Sequence, residues 1–165
     1  MRKIDFDEFC NIINPYVQNQ EFRLLKNCKH HGIDRYSHSL RVAYYTYCVT
    51  KKISRRYVDA TVAALLHDFF IDEVRLENAL DRLLLHPIIA AQNSKRLFDI
   101  NDFQENIIVR HMFPITPIPP KTWEGWIVDF LDDVASVYEK SQCWKNELSA
   151  ALTFLFLMFV HFISY

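Results

Sequence analysis

His67 and Asp68 stand side by side in "AALLHDFF", residues 63–70, near the end of a run that otherwise reads as helix core. Burying an imidazole and a carboxylate unpaired costs roughly several kcal/mol each, comparable with the whole stability margin of a small domain. Such a doublet calls for a bound partner, and a metal ion satisfies both groups. Three further histidines sit beside apolar neighbours: His38 in "DRYSHSLRVAYYTY" shares a flank with Val42 and Tyr45, and His111 in "NIIVRHMFP" shares a face with Ile107 and Ile108. His86, in "LLLHPII", precedes Pro87 and reads as a loop position from which the ring can reach inward. Any one alone is more simply a hydrogen-bonded core histidine. Four together point to a constellation.

The segment "IVDFLDDVASVYE", 127–139, holds three aspartates that helical period separates. Ile127, Phe130, Leu131, Val134 and Tyr138 form the expected core stripe, while Asp129, Asp133, Ser136 and Lys140 share a stripe expected to face solvent. Asp132, flanked by Val128 and Ala135, is the aspartate expected to point inward. Imidazole and carboxylate ligands suit Mn, Fe, Co, Ni or Zn, one or two ions of which are the expected cofactor. No cysteine lies near these positions, which disfavours structural zinc or iron–sulfur, and no H-E-x-x-H occurs.

Composition narrows the partners. A formal net charge of -1 gives no basic face for nucleic acid, and two glycines, Gly32 and Gly125, cannot build a Walker or dinucleotide loop. Any phosphate must be held by metal or by basic side chains. Cys10, Cys28, Cys48 and Cys143 are widely spaced, which fits free thiols in a reduced, cytoplasmic chain.

The elements that must position these residues are helical almost throughout. With 50% hydrophobic residues, the 165-residue chain can bury one real core. Periodicity predicts an all-α fold with helices at 5–18, 20–28, 36–51, 55–69, 73–84, 88–98, 102–112, 123–140 and 144–163. Ser54, Pro87 and Asn101 are start signals for the fourth, sixth and seventh. The prolines of "PITPIPPK", 114–121, require an extended loop. Val58, Val62, Leu65, Leu66 and Phe69 form one stripe of the fourth helix and Ala60, Ala64 and His67 a second, so it is expected to be central. The chain divides into a helical domain, 1–143, and an apolar C-terminal helix, 144–165. That helix's apolar run of about 16 residues, His161 included, falls short of the roughly 20 that a membrane span needs. It reads as a core or homodimer-interface helix, with a membrane anchor through 148–163 as the alternative.

The ordered set His38, His67-Asp68 and Asp132 resembles the H…HD…D signature of the HD-domain metal-dependent phosphohydrolase superfamily. The resemblance covers about residues 36–140, through "YSHSLRVAYYTY", "AALLHDFF", "HPIIAAQNSKRLF", "IIVRHMFP" and "IVDFLDDVASVYE". It implies a compact helical bundle around a metal site, with His38, His67 and Asp132 on one metal, His86 and His111 on a second, and Asp68 bridging both. Two cations roughly 3.5 to 4 Å apart would acidify a bridging water and neutralise phosphoryl oxygens. The implied activity is hydrolysis of a phosphoester or phosphoanhydride bond in a nucleotide or similar small phosphate compound. Arg35, Arg41, Arg110 and Lys121 are the basic candidates for its remaining phosphate oxygens. A non-catalytic metal- or nucleotide-binding module is the other reading.

The chain also departs from the better-defined subfamilies. It has "HDFFIDE" where HD-GYP cyclic dinucleotide phosphodiesterases carry H-D-I-G-K. Where guanosine tetraphosphate hydrolases have a Glu-Asp pair after the doublet, Ile71 and Asp72 stand. Beside Asp68, Asp72 is the expected second catalytic group, with Glu73 as its neighbour, for handling the proton.

Overall fold

The computed structural model describes residues 3–30, 33–71 and 79–163, with side-chain surroundings described except at 29–30, 79–82 and 150–163. Among these residues seven α-helices carry the fold: α1 (Phe6–Val17), α2 (Gln20–Arg23), α3 (Arg35–Ile53), α4 (Tyr57–Leu66), α5 (Ala79–Phe98), α6 (Asp102–Arg110) and α7 (Trp123–Ile163). A 3-10 turn, Leu24–Asn27, follows α2. The one β element among the described residues is a hairpin of two-residue strands, β1 (Lys29–His30) and β2 (Ile33–Asp34), paired antiparallel. The architecture is all-α.

Local chemistry explains where several helices start. The Asp5 carboxylate accepts from the N–H groups of Asp7 and Glu8 at the head of α1. Asp34 caps α3 through Ser37 N–H, and Asn101 and Gln104 close a reciprocal capping box on α6. Each such cap satisfies N–H groups that a helix start leaves without partners. Ser54 ends α3; its hydroxyl accepts from Arg56 N–H just ahead of α4 and donates to the Glu124 carboxylate at 2.7 Å, tying the α3–α4 corner to α7.

At the centre α4 is buried on every side from Ala60 to Leu66, with Val58 the one member of its expected stripe left 42% exposed. Ala43 of α3 and Ala60, Ala63 and Ala64 of α4 carry only a methyl group, so the two helices can approach closely along them. Phe9 of α1 packs against Tyr44 and Tyr47 of α3, and Phe22 and Phe98 pack against Phe69 just beyond α4. Full burial of a side chain such as Phe22 or Leu25 contributes about 1.5 to 3 kcal/mol. This aromatic shell closes one side of α4 and leaves its C-terminal end facing α3, α5, α6 and α7.

Two breaks expected between helices do not occur. No break occurs at Pro87: α5 runs through it, and His86 is a helical residue, not a loop residue. A proline inside a helix forfeits one backbone hydrogen bond, but here His86, Pro87, Ala90, Ala91 and Ser94 form one buried face that holds the helix together across it. The helices expected at 123–140 and 144–163 are likewise a single element, α7, because nothing between Lys140 and Trp144 breaks helical geometry. The loop expected at 114–121 lies within a non-helical segment, 111–122, of turns and bends. No helix among the described residues is long and apolar enough to cross a membrane.

Candidate metal centre

Six side chains from five parts of the fold converge at the C-terminal end of α4. His67 caps that helix and Asp68 follows it, both in a turn. His38 comes from the first turn of α3, His86 from mid α5, His111 from the cap position of α6 and Asp132 from α7. All six are buried, from 0% exposure at His38 and His67 to 9% at Asp132.

The imidazoles face one another through their Nε2 atoms. His38 Nε2 lies 2.8 Å from Asp132 Oδ1, and His67 Nε2 lies 3.4 Å from the same oxygen. His86 Nε2 is 3.1 Å from His111 Nε2 and 3.4 Å from Asp68 Oδ1. Asp68 Oδ2 is 4.0 Å from His67 Nε2, while its Oδ1 is 3.9 Å from His111 Nε2. Asp68 therefore stands between a His38–His67–Asp132 group and a His86–His111 group. Three overlapping sets, His38–His67–Asp68, His67–His111–Asp132 and Asp68–His86–His111, each bring their ligand atoms within 4.8 Å of one another.

Outer hydrogen bonds fix the ring orientations. His67 Nδ1 donates to the Ala64 carbonyl and His111 Nδ1 to the Ile108 carbonyl, each at 2.7 Å. His38 Nδ1 donates to Glu139 Oε2 at 2.9 Å. With Nδ1–H committed in this way, Nε2 is the nitrogen turned inward, and it offers a metal its lone pair once any proton it carries is released. His67 Nε2 is fully buried and makes no hydrogen bond. An orphaned acceptor facing carboxylates and other imidazoles fits a divalent cation, which the cluster can hold.

The electrostatics without a cation point the same way. Burial disfavours charge on His38, but hydrogen bonds to Asp132 and Glu139 outweigh it and hold this imidazole up at about 10. Burial likewise opposes charge on His67, and the Asp132 and Asp68 carboxylates overcome it and raise its pKa. At Asp132 burial would raise the carboxyl, yet His67 and His38 keep it well below the usual range. His111 is pushed down to about 3 by burial and by His67 and His86. The half with two carboxylates thus demands positive charge, and the other half supplies neutral imidazole.

The remaining residues singled out from the sequence lie elsewhere or are otherwise engaged. Arg35 is 3% exposed; its Nη1 donates to the Phe70 carbonyl at 2.9 Å, its guanidinium covers the Phe70 ring, and its Nε lies 3.7 Å from Asp68 Oδ2. It braces the Asp68 carboxylate. Arg41 pairs with Glu139 and lies over the Tyr138 ring, and Arg110 donates to the Pro119 carbonyl. Lys121 is exposed at the end of the 111–122 loop, its backbone N–H on Asn106. Asp72 and Glu73 lie outside the described residues.

The face of α7 that turns inward is not the expected apolar stripe. Phe130, Val134 and Tyr138 are 65%, 41% and 47% exposed, whereas Glu124, Val128, Asp132, Ala135 and Glu139 are buried. Asp129, expected in solvent, is also buried and accepts from Phe113 N–H at 3.1 Å. Glu139 was missed. It lies two turns beyond Asp132 on the same face, and that seven-residue spacing was the signal for it.

Comparison with known proteins agrees with this geometry. No curated protein and no solved structure matches the chain. The family model described as HD domain matches residues 35–136, a span that starts at the head of α3 and includes all six clustered residues. The chain belongs to the HD domain family.

Proposed function

We propose that the protein is a metal-dependent phosphohydrolase acting on a nucleotide or another small phosphate compound. The observation that carries this reading is the position of Asp68, whose two carboxylate oxygens face different histidine groups. In this reading His38, His67 and Asp132 hold one divalent cation, His86 and His111 a second, and Asp68 serves both. Bound cations supply an activated water and neutralise charge that develops on phosphoryl oxygens. The chain's own contribution is orientation. Ala64, Ile108 and Glu139 fix three imidazoles, Arg35 holds Asp68, and burial keeps bulk water from competing for the ligand atoms. Membership of the HD family, whose members are commonly hydrolases, supports the reaction class.

A second reading, a non-catalytic metal- or nucleotide-binding module, draws on one observation. Arg35, Arg41 and Arg110 are all engaged with protein groups. Metal analysis of untreated protein, followed by phosphate release from mono-, di- and cyclic nucleotides with Mn, Fe, Co, Ni or Zn added, separates the two. Turnover supports the hydrolase. Metal with no release from any substrate supports the module. A His67→Ala, Asp68→Ala double variant that keeps its metal overturns the ligand assignment itself.

A further inference from the structure

Many apolar residues of α7 that do not face the core, though not Trp123, Trp126 or Tyr138, fall on one stripe that is interrupted by a single serine. Ile127, Phe130, Val134, Val137, Ser141, Trp144 and Leu148 recur at alternating steps of three and four, and the sequence spacing continues through Ala151, Leu155, Met158 and Phe162. That is a 3.5-residue period sustained for about five heptads, the pattern of a coiled-coil seam. On the described part the seam is open: Phe130 is 65% exposed, Val137 69%, Trp144 76% and Leu148 62%. Glu139 is the last described residue of α7 that is fully buried; Gln142 and Cys143 beyond it are half-buried beside Ile33 and Arg41, and the seam lies on the opposite, exposed side of the helix. Seam residues this large and this exposed are the signature of a missing helical partner.

We propose that the occupant is a second copy of this chain, joined through an antiparallel coiled coil of the two α7 helices. A two-fold dimer supplies a helix with the same seam. Charge chooses the direction. Lys140 and Glu147 flank the seam in equivalent heptad positions, and both are exposed. In the antiparallel arrangement Lys140 meets the partner's Glu147 twice over, whereas a parallel pair sets Lys140 against the partner's Lys145. Size agrees with charge. Antiparallel pairing puts Ser141 opposite the partner's Trp144 and Val137 opposite the partner's Leu148, where a parallel pair would set tryptophan on tryptophan. It also carries the apolar stretch 150–163 of each chain along the first turns of the other α7, where Trp123, Trp126 and Phe130 are exposed. One register thus covers the exposed rings of Trp123, Trp126 and Phe130 with an apolar stretch of sequence.

The test is sedimentation of the full chain at micromolar concentration in detergent-free buffer. A dimer is expected. Val137→Asp and Leu148→Asp should each give a monomer with far-ultraviolet helicity retained. Lys140→Glu and Glu147→Lys should each weaken the dimer about tenfold, through two repulsive pairs per dimer, and the two changes combined should restore it. A monomeric or higher-order wild-type chain overturns the proposal. So does partition of the chain into phosphatidylcholine–phosphatidylglycerol vesicles as a monomer. Tighter association of Lys140→Glu overturns the antiparallel direction.

Discussion

The imidazole of His38 is held between two carboxylates, with Nδ1 donating to Glu139 Oε2 at 2.9 Å and Nε2 at 2.8 Å from Asp132 Oδ1. Both acids come from α7 and lie on the same helical face, so one helix supplies both the group beside the ligand atom and the group that orients it. Glu139 is itself 2% exposed and tied to Arg41, which fixes the carboxylate from behind.

Glu139→Gln, which removes the carboxylate charge behind His38, should therefore weaken divalent metal binding by about 10- to 100-fold, the usual effect of altering the outer partner of a metal-bound histidine. The amide keeps the shape and can still accept from Nδ1, so far-ultraviolet circular dichroism should be unchanged. Isothermal titration with Mn or Zn checks it. Unaltered affinity would reduce Glu139 to a packing group.

Metal loading should stabilise the fold and depend on pH. At 100 times its dissociation constant a cation bound only to the native state contributes about 2.7 kcal/mol, which for a domain of this size raises Tm by about 5 to 10 °C. In the metal-free protein His38 holds its proton up to about 10, so a cation must displace that proton below this pH. Apparent affinity should then rise by about tenfold per pH unit between pH 7 and 9, for each proton released. Chelation that leaves Tm unmoved would argue that the cluster is structural without metal.

How much of this was legible in the sequence depended on whether a residue's environment is set by its own helix. Asp132 could be picked from three aspartates because Val128 and Ala135 share its face. The same reasoning failed for Phe130 and Val134, because apolar residues on a helix do not say which partner they face, and α7 has two apolar faces. His86 was drawn into a loop by Pro87, whose local penalty is outweighed by a buried face extending to either side of it. Arg35 was a candidate for substrate, but its partners Phe70 and Asp68 lie more than thirty residues away and only the fold brings them near.

A second polar cluster, at the opposite ends of α3 and α4 from the metal centre, should contribute to acid stability. Glu8 accepts from Lys51, Tyr47 and Tyr57, and these hydrogen bonds, that of Lys51 foremost, hold its carboxyl down at about 2. A carboxyl depressed on folding stabilises above its unfolded pKa of 4.5 and loses that contribution as pH falls toward 2. Glu8 is partly exposed, so the effect should be on the order of 1 kcal/mol. Glu8→Gln should thus destabilise the protein at pH 7, with the cost shrinking as pH falls and vanishing only below about 2, as read by urea denaturation across pH 7 to 2. An equal loss at both ends would assign the effect to packing of α1.

Asp129 should act in the opposite sense. Burial pushes its carboxyl up to about 7, with Phe113 N–H opposing the shift and the nearby Asp133 and Asp132 adding to it. A group that is harder to ionise in the folded state contributes fully below its unfolded pKa of 3.8 and loses that contribution as pH rises through about 7. Asn in its place keeps an acceptor for Phe113 N–H and cannot ionise. In metal-free protein, Asp129→Asn should match the wild type near pH 4 and be more stable at pH 8, by on the order of 1 to 2 kcal/mol. Paired thermal melts across that range measure the difference. A variant equally stable at pH 8, or less stable, would show that the Asp129 carboxylate is accommodated in its charged form.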